Sequence, residues 1–301
     1  MSLYQSNLKS LIKCTTLTNN LFFIWARLMA LIIKSDQVTG SDFVPGVLQK
    51  LLLEKEKTGQ ERLQIKQFEF MEEIQFEFKT EEGSLSWLMP LTSNLKYNGL
   101  DLGRNSLLIL PPNSPLKIEG LIGEKLIICS VLQIQRFIKN NDKIPLNIKC
   151  VDWSVEPVLL SEFDSRKRIY LASPVLWNGL DCVKGEMIYY PKGGTAPPHY
   201  HTGAEHFQFV IEGSGTAYVN GSSEVVSEGD IIYSFEDETH WFENYISDSF
   251  VFAEFFVPGN YKTIWENPEK VCTWLPTGKD ISGRPAARNI AKHVAGQGKD
   301  V

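Results

Sequence analysis

The chain has 301 residues, of which 43% are hydrophobic and 11% aromatic, enough to fill one large core or two of ordinary size. Its formal net charge of -6 excludes general binding to nucleic acid, because phosphates require a basic surface. We therefore expect a small-molecule partner. The five cysteines are scattered and form no CxxC pair, a pattern that predicts reduced thiols and a cytoplasmic protein.

An apolar stretch near the N-terminus, residues 21–33, superficially resembles the core of a signal peptide. Arg27 interrupts it, and it is far shorter than the roughly 20 apolar residues that a membrane span needs. We therefore expect neither an anchor nor a signal, and no membrane partner. Residues 1–34 are predicted to be an N-terminal extension. Within it, residues 1–28 are either weakly ordered or precede a native start at Met29, where a first strand would begin.

From Leu63 onward, short β-prone runs alternate with turns rich in Gly, Pro, Asn and Ser. Strands at this spacing are typical of an all-β sandwich or barrel. The predicted strands are 64–78, 106–110, 180–190, 205–211, 215–219, 223–226, 230–234 and 249–257. Helix is predicted only at 47–57, 133–140 and 289–293, the last within a tail that wraps the barrel.

The two halves of the chain share a faint internal repeat. Segments 103–116 and 229–240 each have a glycine, an apolar strand, a tight turn and the start of a new strand. Two copies of one barrel explain this most economically, and we predict them at residues 35–155 and 156–301. Leu116 takes the place of His240 when the turns are aligned, and no histidine precedes residue 199. The first barrel is therefore predicted to be metal-free, with a structural or dimer-forming role in a homodimer.

Histidines are concentrated in the second half. Four of the five lie between residues 199 and 240, namely His199, His201, His206 and His240. Neutral imidazole is the commonest metal-binding side chain, so this crowding predicts one metal site. Side chains at i and i+2 of a strand share a face, which lets His199 and His201 grip the same ion. The fifth, His293, is predicted to be a hydrogen-bonded structural residue.

Residues 193–213 resemble the first motif of the cupin family, G(X)5HXH(X)3,4E(X)6G. The second motif, G(X)5PXG(X)2H(X)3N, is matched by Gly229, His240 and Asn244, with Phe235 and Asp237 in place of the usual proline and glycine. These two departures lie in a turn and bear on its shape. The resemblance implies an all-β bicupin, with two double-stranded β-helix (jelly-roll) barrels, short flanking helices and a degenerate N-terminal copy.

The acidic ligand of the first motif has two candidates. A three-residue gap after His201 selects Glu205, and a four-residue gap selects His206. Six residues separate His206 from Gly213, as in the motif, whereas seven follow Glu205. Neighbouring strand residues face opposite ways, so only one can reach the metal. We predict His206, and hence a four-histidine site; a bulge at the start of this strand would select Glu205.

Four neutral imidazoles leave the charge of a divalent ion uncompensated, which favours an anionic ligand at its open positions. The predicted cofactor is one divalent transition metal; Fe(II) is favoured, and Mn, Ni, Cu or Zn are the alternatives. Gln208 shares the face of His206, and an inward Glu254 would be costly without a function, so both are predicted to be catalytic. Further wall residues are expected among Tyr189 or Tyr190, Tyr233 and one register of 250–256.

The family resemblance implies a metal-dependent oxygenase of dioxygenase type, acting on a small anionic aromatic or enolic substrate. One alternative is a non-redox isomerase, cyclase or lyase, in which the same ion only polarises a carbonyl. Another is a non-catalytic cupin that binds a small molecule.

Overall fold

The structure, a computed structural model, describes residues 31–60, 62–138, 144, 147–298 and 301. The predicted extension before residue 31 lies outside the described residues. Strands of the N-terminal half are β1 (Leu31–Ile33), β2 (Ser41–Val44), β3 (Val47–Leu53), β4 (Leu63–Phe70), β5 (Ile74–Lys79), β6 (Leu85–Pro90), β7 (Leu95–Tyr97), β8 (Leu100–Leu102), β9 (Ser106–Leu110), β10 (Pro115–Gly120), β11 (Lys125–Val131) and β12 (Lys149–Asp152).

Strands of the C-terminal half are β13 (Leu159–Ser161), β14 (Lys167–Ala172), β15 (Lys184–Pro191), β16 (Gly194–Thr195), β17 (His199–Thr202), β18 (Glu205–Val219), β19 (Ser222–Ser227), β20 (Ile231–Ser234), β21 (His240–Asn244), β22 (Ser249–Val257), β23 (Lys262–Trp265), β24 (Thr273–Pro276) and β25 (His293–Val294). Helix in the described ranges is limited to α1 (Lys55–Thr58) and to 3-10 turns at Ser35–Gln37, Ile134–Arg136 and Trp153–Val155. None of the helices described is long and apolar enough to cross a membrane.

Two antiparallel sheets face each other in the N-terminal half. One has seven strands in the order β12-β9-β6-β11-β4-β3-β2, and the other has four in the order β5-β10-β7-β8. Phe68 and Ile128 of the larger sheet pack against Phe76, Leu116 and Ile118 of the smaller one. This core is apolar throughout and occupies the interior of the N-terminal half.

The seven-stranded sheet is buried on both of its faces. Because side chains alternate along a strand, Trp87 and Ile127 point away from the first core and join a second core shared with the C-terminal half. The ring of Trp87 lies 4.7 Å from that of Phe255 and 6.4 Å from that of Phe207. Burial on two faces explains why β6 and β11 are nearly continuous apolar runs.

The C-terminal half is organised around the 15-residue strand β18. Its first part pairs with β20 and β22, and its second part with β19 and β21. The register shifts between Val210 and Glu212, and Gly213 follows with a φ of 72°. A Cβ atom on Gly213 would lie 1.9 Å from the carbonyl oxygen of Ser249, so only glycine fits there. The two strands predicted at 205–211 and 215–219 are thus one strand with a bulge.

The first described strand belongs with the C-terminal sheet. Leu31 and Ile33 of β1 pair with Tyr233 and Ile231 of β20. The strand predicted to begin at Met29 is confirmed for residues 31–33. The domain boundaries predicted at residues 35 and 156 stay predictions, while strand pairing separates β2–β12 from the sheet that contains β1 and β13–β25.

The predicted helices are largely wrong. Residues 47–53 form β3, paired with both β2 and β4, and only α1 is helical. The apolar run at 47–53 fits the period of a helix as well as that of a strand, and pairing with the neighbouring strands makes it a strand. Segment 133–140 contains the single 3-10 turn Ile134–Arg136, and its last two residues lie outside the described ranges. Residues 289–292 have no helix, and His293 begins β25, which pairs with β24.

The internal repeat is present in three dimensions as β9-turn-β10 and β20-turn-β21. Asn113 and Asp237, each three residues before Leu116 and His240, have φ values of 60° and 64°. Asp and Asn tolerate this left-handed conformation better than most residues. Asp237 therefore preserves the turn in which the cupin motif has glycine.

Leu116→Ala tests the separation of the two cores. Leu116 is 1% exposed, so truncation should lower the free energy of unfolding by about 2–5 kcal/mol. Metal content should stay unchanged, because the histidines lie in the other half. Urea unfolding and elemental analysis measure the two quantities, with Leu100→Ala, at a 70% exposed position, as the control. Metal loss from folded Leu116→Ala protein would contradict the prediction that the N-terminal half is metal-free.

Candidate metal centre

Four strands bring the central residues together. They neighbour one another in the order β17-β21-β18-β22 and supply His201, His240, His206 and Glu254 respectively. One ligand atom from each of these residues lies within 4.8 Å of the others, and all four side chains are buried. The structure thus unites three of the four predicted histidines with the predicted Glu254.

His199 lies beside this group rather than inside it. It is paired directly with His240 on the neighbouring strand, and its ring centre is 4.6 Å from that of His240 and 5.0 Å from that of His201. Its Nδ1 donates a hydrogen bond of 2.7 Å to the carbonyl oxygen of Pro197. Nε2 is therefore the nitrogen of His199 with a lone pair for a ligand.

Hydrogen bonds outside the group hold the other rings in the same way. Nδ1 of His240 donates to the carbonyl oxygen of Glu238 at 2.8 Å, and Nδ1 of His201 lies 3.2 Å from the hydroxyl of Thr263. A carbonyl oxygen only accepts, so the proton of His240 is on Nδ1. Its Nε2 lies 3.1 Å from Nε2 of His206. Outer partners of this kind orient metal-binding imidazoles.

The protonation states also suit a metal. Burial, followed by the neighbouring histidines, lowers the pKa of His201 and His206 well below the usual value. Burial lowers the pKa of His240 to about 4. Neutral imidazole is the form that binds metal. Nε2 of His201 and Nδ1 of His206 are buried and have no hydrogen-bond partner among the described residues, so a divalent transition metal fits the donor set.

Glu205 points away from the histidines. Its carboxylate accepts a 2.5 Å hydrogen bond from the hydroxyl of Tyr233 and lies 3.3 Å from the guanidinium group of Arg62. Arg62 belongs to the N-terminal half, so this ion pair links the two halves. Phe207, which faces the same way as Glu205, lies in the core shared between them. The alternation along β18 therefore places Glu205 and His206 on opposite sides of the sheet.

Gln208 and Glu254 form a buried polar pair. Nε2 of Gln208 donates a 2.6 Å hydrogen bond to Oε1 of Glu254, which lies 3.8 Å from Nε2 of His206. Burial, followed by the charge of Glu186, raises the pKa of Glu254 to about 8. The raised pKa favours the protonated form of Glu254, which is able to act as an acid.

A small cavity lies beside these side chains. His199, His201 and Glu254 line one side of it. Most of the remaining wall is aromatic: Tyr190, Phe242, Phe252, Phe256, Tyr261, Trp265 and Trp274. Of the two possible registers of 250–256, the one with Phe252, Glu254 and Phe256 lines the cavity. Tyr233 does not line the cavity, because its hydroxyl binds Glu205 on the other side of the sheet.

Sequence reasoning missed two arginines in this cavity. Arg166 and Arg168 lie on one face at the start of β14 and are buried. Arg166 contacts Asp164 at 2.7 Å, and Arg168 contacts Glu186 at 2.6 Å. Their i, i+2 spacing before the apolar residues 169–172 is the signal that would have revealed them, as it revealed His199 and His201.

The chain is similar to known proteins in part of its sequence and in its fold. A family model described as "Cupin domain" matches residues 186–256. A solved structure of oxalate decarboxylase matches with a TM-score of 0.62 at 14% identity, covering 79% of this chain and 80% of that chain. The chain has the cupin fold. The predicted all-β architecture of two jelly-roll barrels is therefore confirmed, while the degenerate character of the N-terminal cupin stays a prediction.

Two further solved structures of oxalate decarboxylase show the same likeness. One concerns its substrate binding mode and matches at 12% identity with a TM-score of 0.62, covering 78% of this chain and 79% of that chain. The other concerns the Mn(II) centres of the Bacillus subtilis enzyme and matches at 12% identity with a TM-score of 0.61 over the same shares of the two chains. No curated protein matches the sequence.

His206→Ala and Glu205→Gln test the assignment of the two neighbours on β18. Loss of His206 should weaken metal binding by more than the roughly 10–100-fold that loss of an outer partner causes. Glu205→Gln should retain the metal and lower thermal stability, because it weakens the contact with Arg62. Elemental analysis and thermal unfolding measure both variants. The opposite order of metal loss would reverse the assignment.

Proposed function

We propose that this protein is a metal-dependent bicupin enzyme of lyase type, which removes CO2 from a small organic acid anion. The observation that carries the proposal is one cavity lined by His199, His201, Glu254 and two buried arginines, next to a histidine group able to hold a metal. The cupin fold shared with oxalate decarboxylase supports it. We therefore prefer the lyase, an alternative in the sequence analysis, to the oxygenase that the family resemblance implies.

We propose His199, His201, His206 and His240 as the ligands, with Glu254 free for proton transfer. The pairing of His199 with His240 and the orientation of its Nε2 support this set. Mn(II) is the preferred ion, because the similar oxalate decarboxylases have Mn(II) centres, and Fe(II) comes next. The bound ion would polarise the substrate and offset its negative charge.

The side chains of the cavity supply the remaining chemistry. As the bond to the leaving CO2 breaks, its electron pair stays on the adjacent carbon of the substrate. Glu254 gives its proton to that carbon and regains one from solvent. Because Oε1 of Glu254 accepts from Gln208, the transferable proton is on Oε2. Gln208 thus positions the acid, and the aromatic wall limits access of water.

An oxygenase is the second candidate. Four neutral imidazoles would leave a divalent ion with its full positive charge, which also favours binding of an enolate or catecholate. Oxygen would then be a substrate, whereas decarboxylation followed by protonation consumes none. The two reactions are therefore distinguished by their gas balance.

Gas exchange tests the two candidates on protein loaded with Mn(II) or Fe(II). Substrates would include oxalate, malonate, oxaloacetate, a catechol and a β-diketone. We expect CO2 release from an organic acid, without matching oxygen uptake, measured by membrane-inlet mass spectrometry. Protein without added metal is the control. Stoichiometric oxygen uptake with the catechol or β-diketone, and no CO2 release from any acid, would make the protein an oxygenase.

Glu254→Gln tests the proton donor. The amide keeps the size of the side chain but has no acidic proton, so kcat should fall by roughly 10²–10⁴-fold while metal content is retained. Glu224→Gln, at a side chain that is 51% exposed, is the matched control and should leave both unchanged. Metal loss in Glu254→Gln would identify Glu254 as a ligand instead.

A further inference from the structure

Arg168 and Trp274 form a stacked pair in the wall of the cavity. The guanidinium carbon of Arg168 lies 4.1 Å from the ring centre of Trp274. Arg168 is 6% exposed and Trp274 is 1% exposed. Arg168 comes from β14 and Trp274 from β24, two strands that flank β13 in the sheet. The stacking holds the guanidinium group in one position.

Each of these two side chains has a buried donor with no acceptor. The two terminal nitrogens of Arg168 have contacts: one forms an ion pair with Oε2 of Glu186 at 2.6 Å, without hydrogen-bond geometry, and the other donates to the hydroxyl of Tyr170 at 3.3 Å. Nε of Arg168 and Nε1 of Trp274 have no hydrogen-bond partner among the described residues. Buried N–H groups are almost always paired in native proteins, so this pair of donors indicates an acceptor that is not part of the chain.

Arg166 adds charge to the site but no free donor. Its Nε and one terminal nitrogen both donate to Asp164, and the other terminal nitrogen lies 3.4 Å from the hydroxyl of Tyr190. Lys184 is also buried nearby, with Nζ 5.4 Å from the ring centre of Tyr170. Three cations, Arg166, Arg168 and Lys184, thus lie near three anions, Asp164, Asp181 and Glu186. These charges compensate one another, so the two unpaired donors are the feature that calls for an acceptor.

We infer that Arg168 and Trp274 form a carboxylate-binding subsite beside the metal centre, which selects small aliphatic carboxylates as substrates. A carboxylate suits two separate N–H donors because its two oxygens accept independently. The limited space within an aromatic wall excludes bulky acids. The role of this subsite in turnover rests on the proposed function, whereas its affinity for a carboxylate does not.

Trp274→Phe removes one donor and keeps a ring for stacking on Arg168. In Mn(II)-loaded protein, the dissociation constant for propionate, measured by the enhancement of its proton relaxation by Mn(II), should rise roughly tenfold. Metal content should stay unchanged. Trp241→Phe is the matched control, because Trp241 stacks on Tyr218 outside this cavity and should bind propionate normally.

A charge-balanced variant keeps the test valid if single substitutions disturb folding. Arg168→Gln combined with Glu186→Gln removes the cation without leaving its buried partner unpaired. Propionate binding should weaken at least tenfold in this variant. Normal propionate binding by both variants would overturn the subsite. Tighter binding of inorganic phosphate than of propionate to the unaltered protein, measured by phosphorus relaxation, would overturn the assignment to carboxylates.

The same variants separate the subsite from the lyase proposal. Weaker propionate binding in Trp274→Phe, in a protein that releases CO2 from no acid, would support the subsite and overturn the lyase. CO2 release with a KM that Trp274→Phe leaves unchanged would support the lyase and overturn the subsite.

Discussion

The alternation of side chains along β18 is the constraint on which the rest of the molecule depends. One face of this strand carries His206 and Gln208 toward Glu254 and the other histidines, and the other face carries Glu205 and Phe207 toward the N-terminal half. A shift of register by one residue would exchange these two sets, removing His206 from the candidate metal centre and separating Glu205 from Arg62. The pairing of β18 with β19, β20, β21 and β22 prevents such a shift, because every neighbouring strand would have to move with it. The metal centre and the contact between the halves are therefore held by the same backbone.

The C-terminal half tolerates several buried charges because nearly all are compensated locally. Arg166 is neutralised by Asp164, and Arg168 by Glu186, at contact distances of 2.7 and 2.6 Å. Glu254 lies opposite Glu186 on the adjacent strand, and the charge of Glu186 adds to burial in raising the pKa of Glu254. The raised pKa of Glu254 is thus a consequence of strand pairing as well as of burial. The cavity is lined by charged and aromatic side chains together, as in the stacking of Arg168 on Trp274.

The sequence predicted the fold class and most strands because period-two patterns and turn residues are local signals. Strands 106–110 and 249–257 agree with the structure, and three of the four histidines meet as expected. Helix was wrongly predicted at 47–53, where pairing with two neighbouring strands outweighs an apolar pattern that fits both a helix and a strand. The ion pair of Glu205 with Arg62 was not predictable, since its partners are far apart in sequence and meet only after the halves pack together.

The position of β1 makes the C-terminal cupin incomplete as a stretch of sequence. Leu31 to Ile33 pair with β20, and Lys34 contacts Asp230 at 2.9 Å. An edge strand of the C-terminal sheet therefore comes from the start of the described chain. A fragment that begins at residue 156 would expose the edge of β20, whose unpaired backbone groups are a template for aggregation. In the same fragment, Glu205 would lose its ion pair with Arg62. The strand β1 and the ion pair of Arg62 with Glu205 thus link the two halves, so the C-terminal half is not expected to be stable on its own.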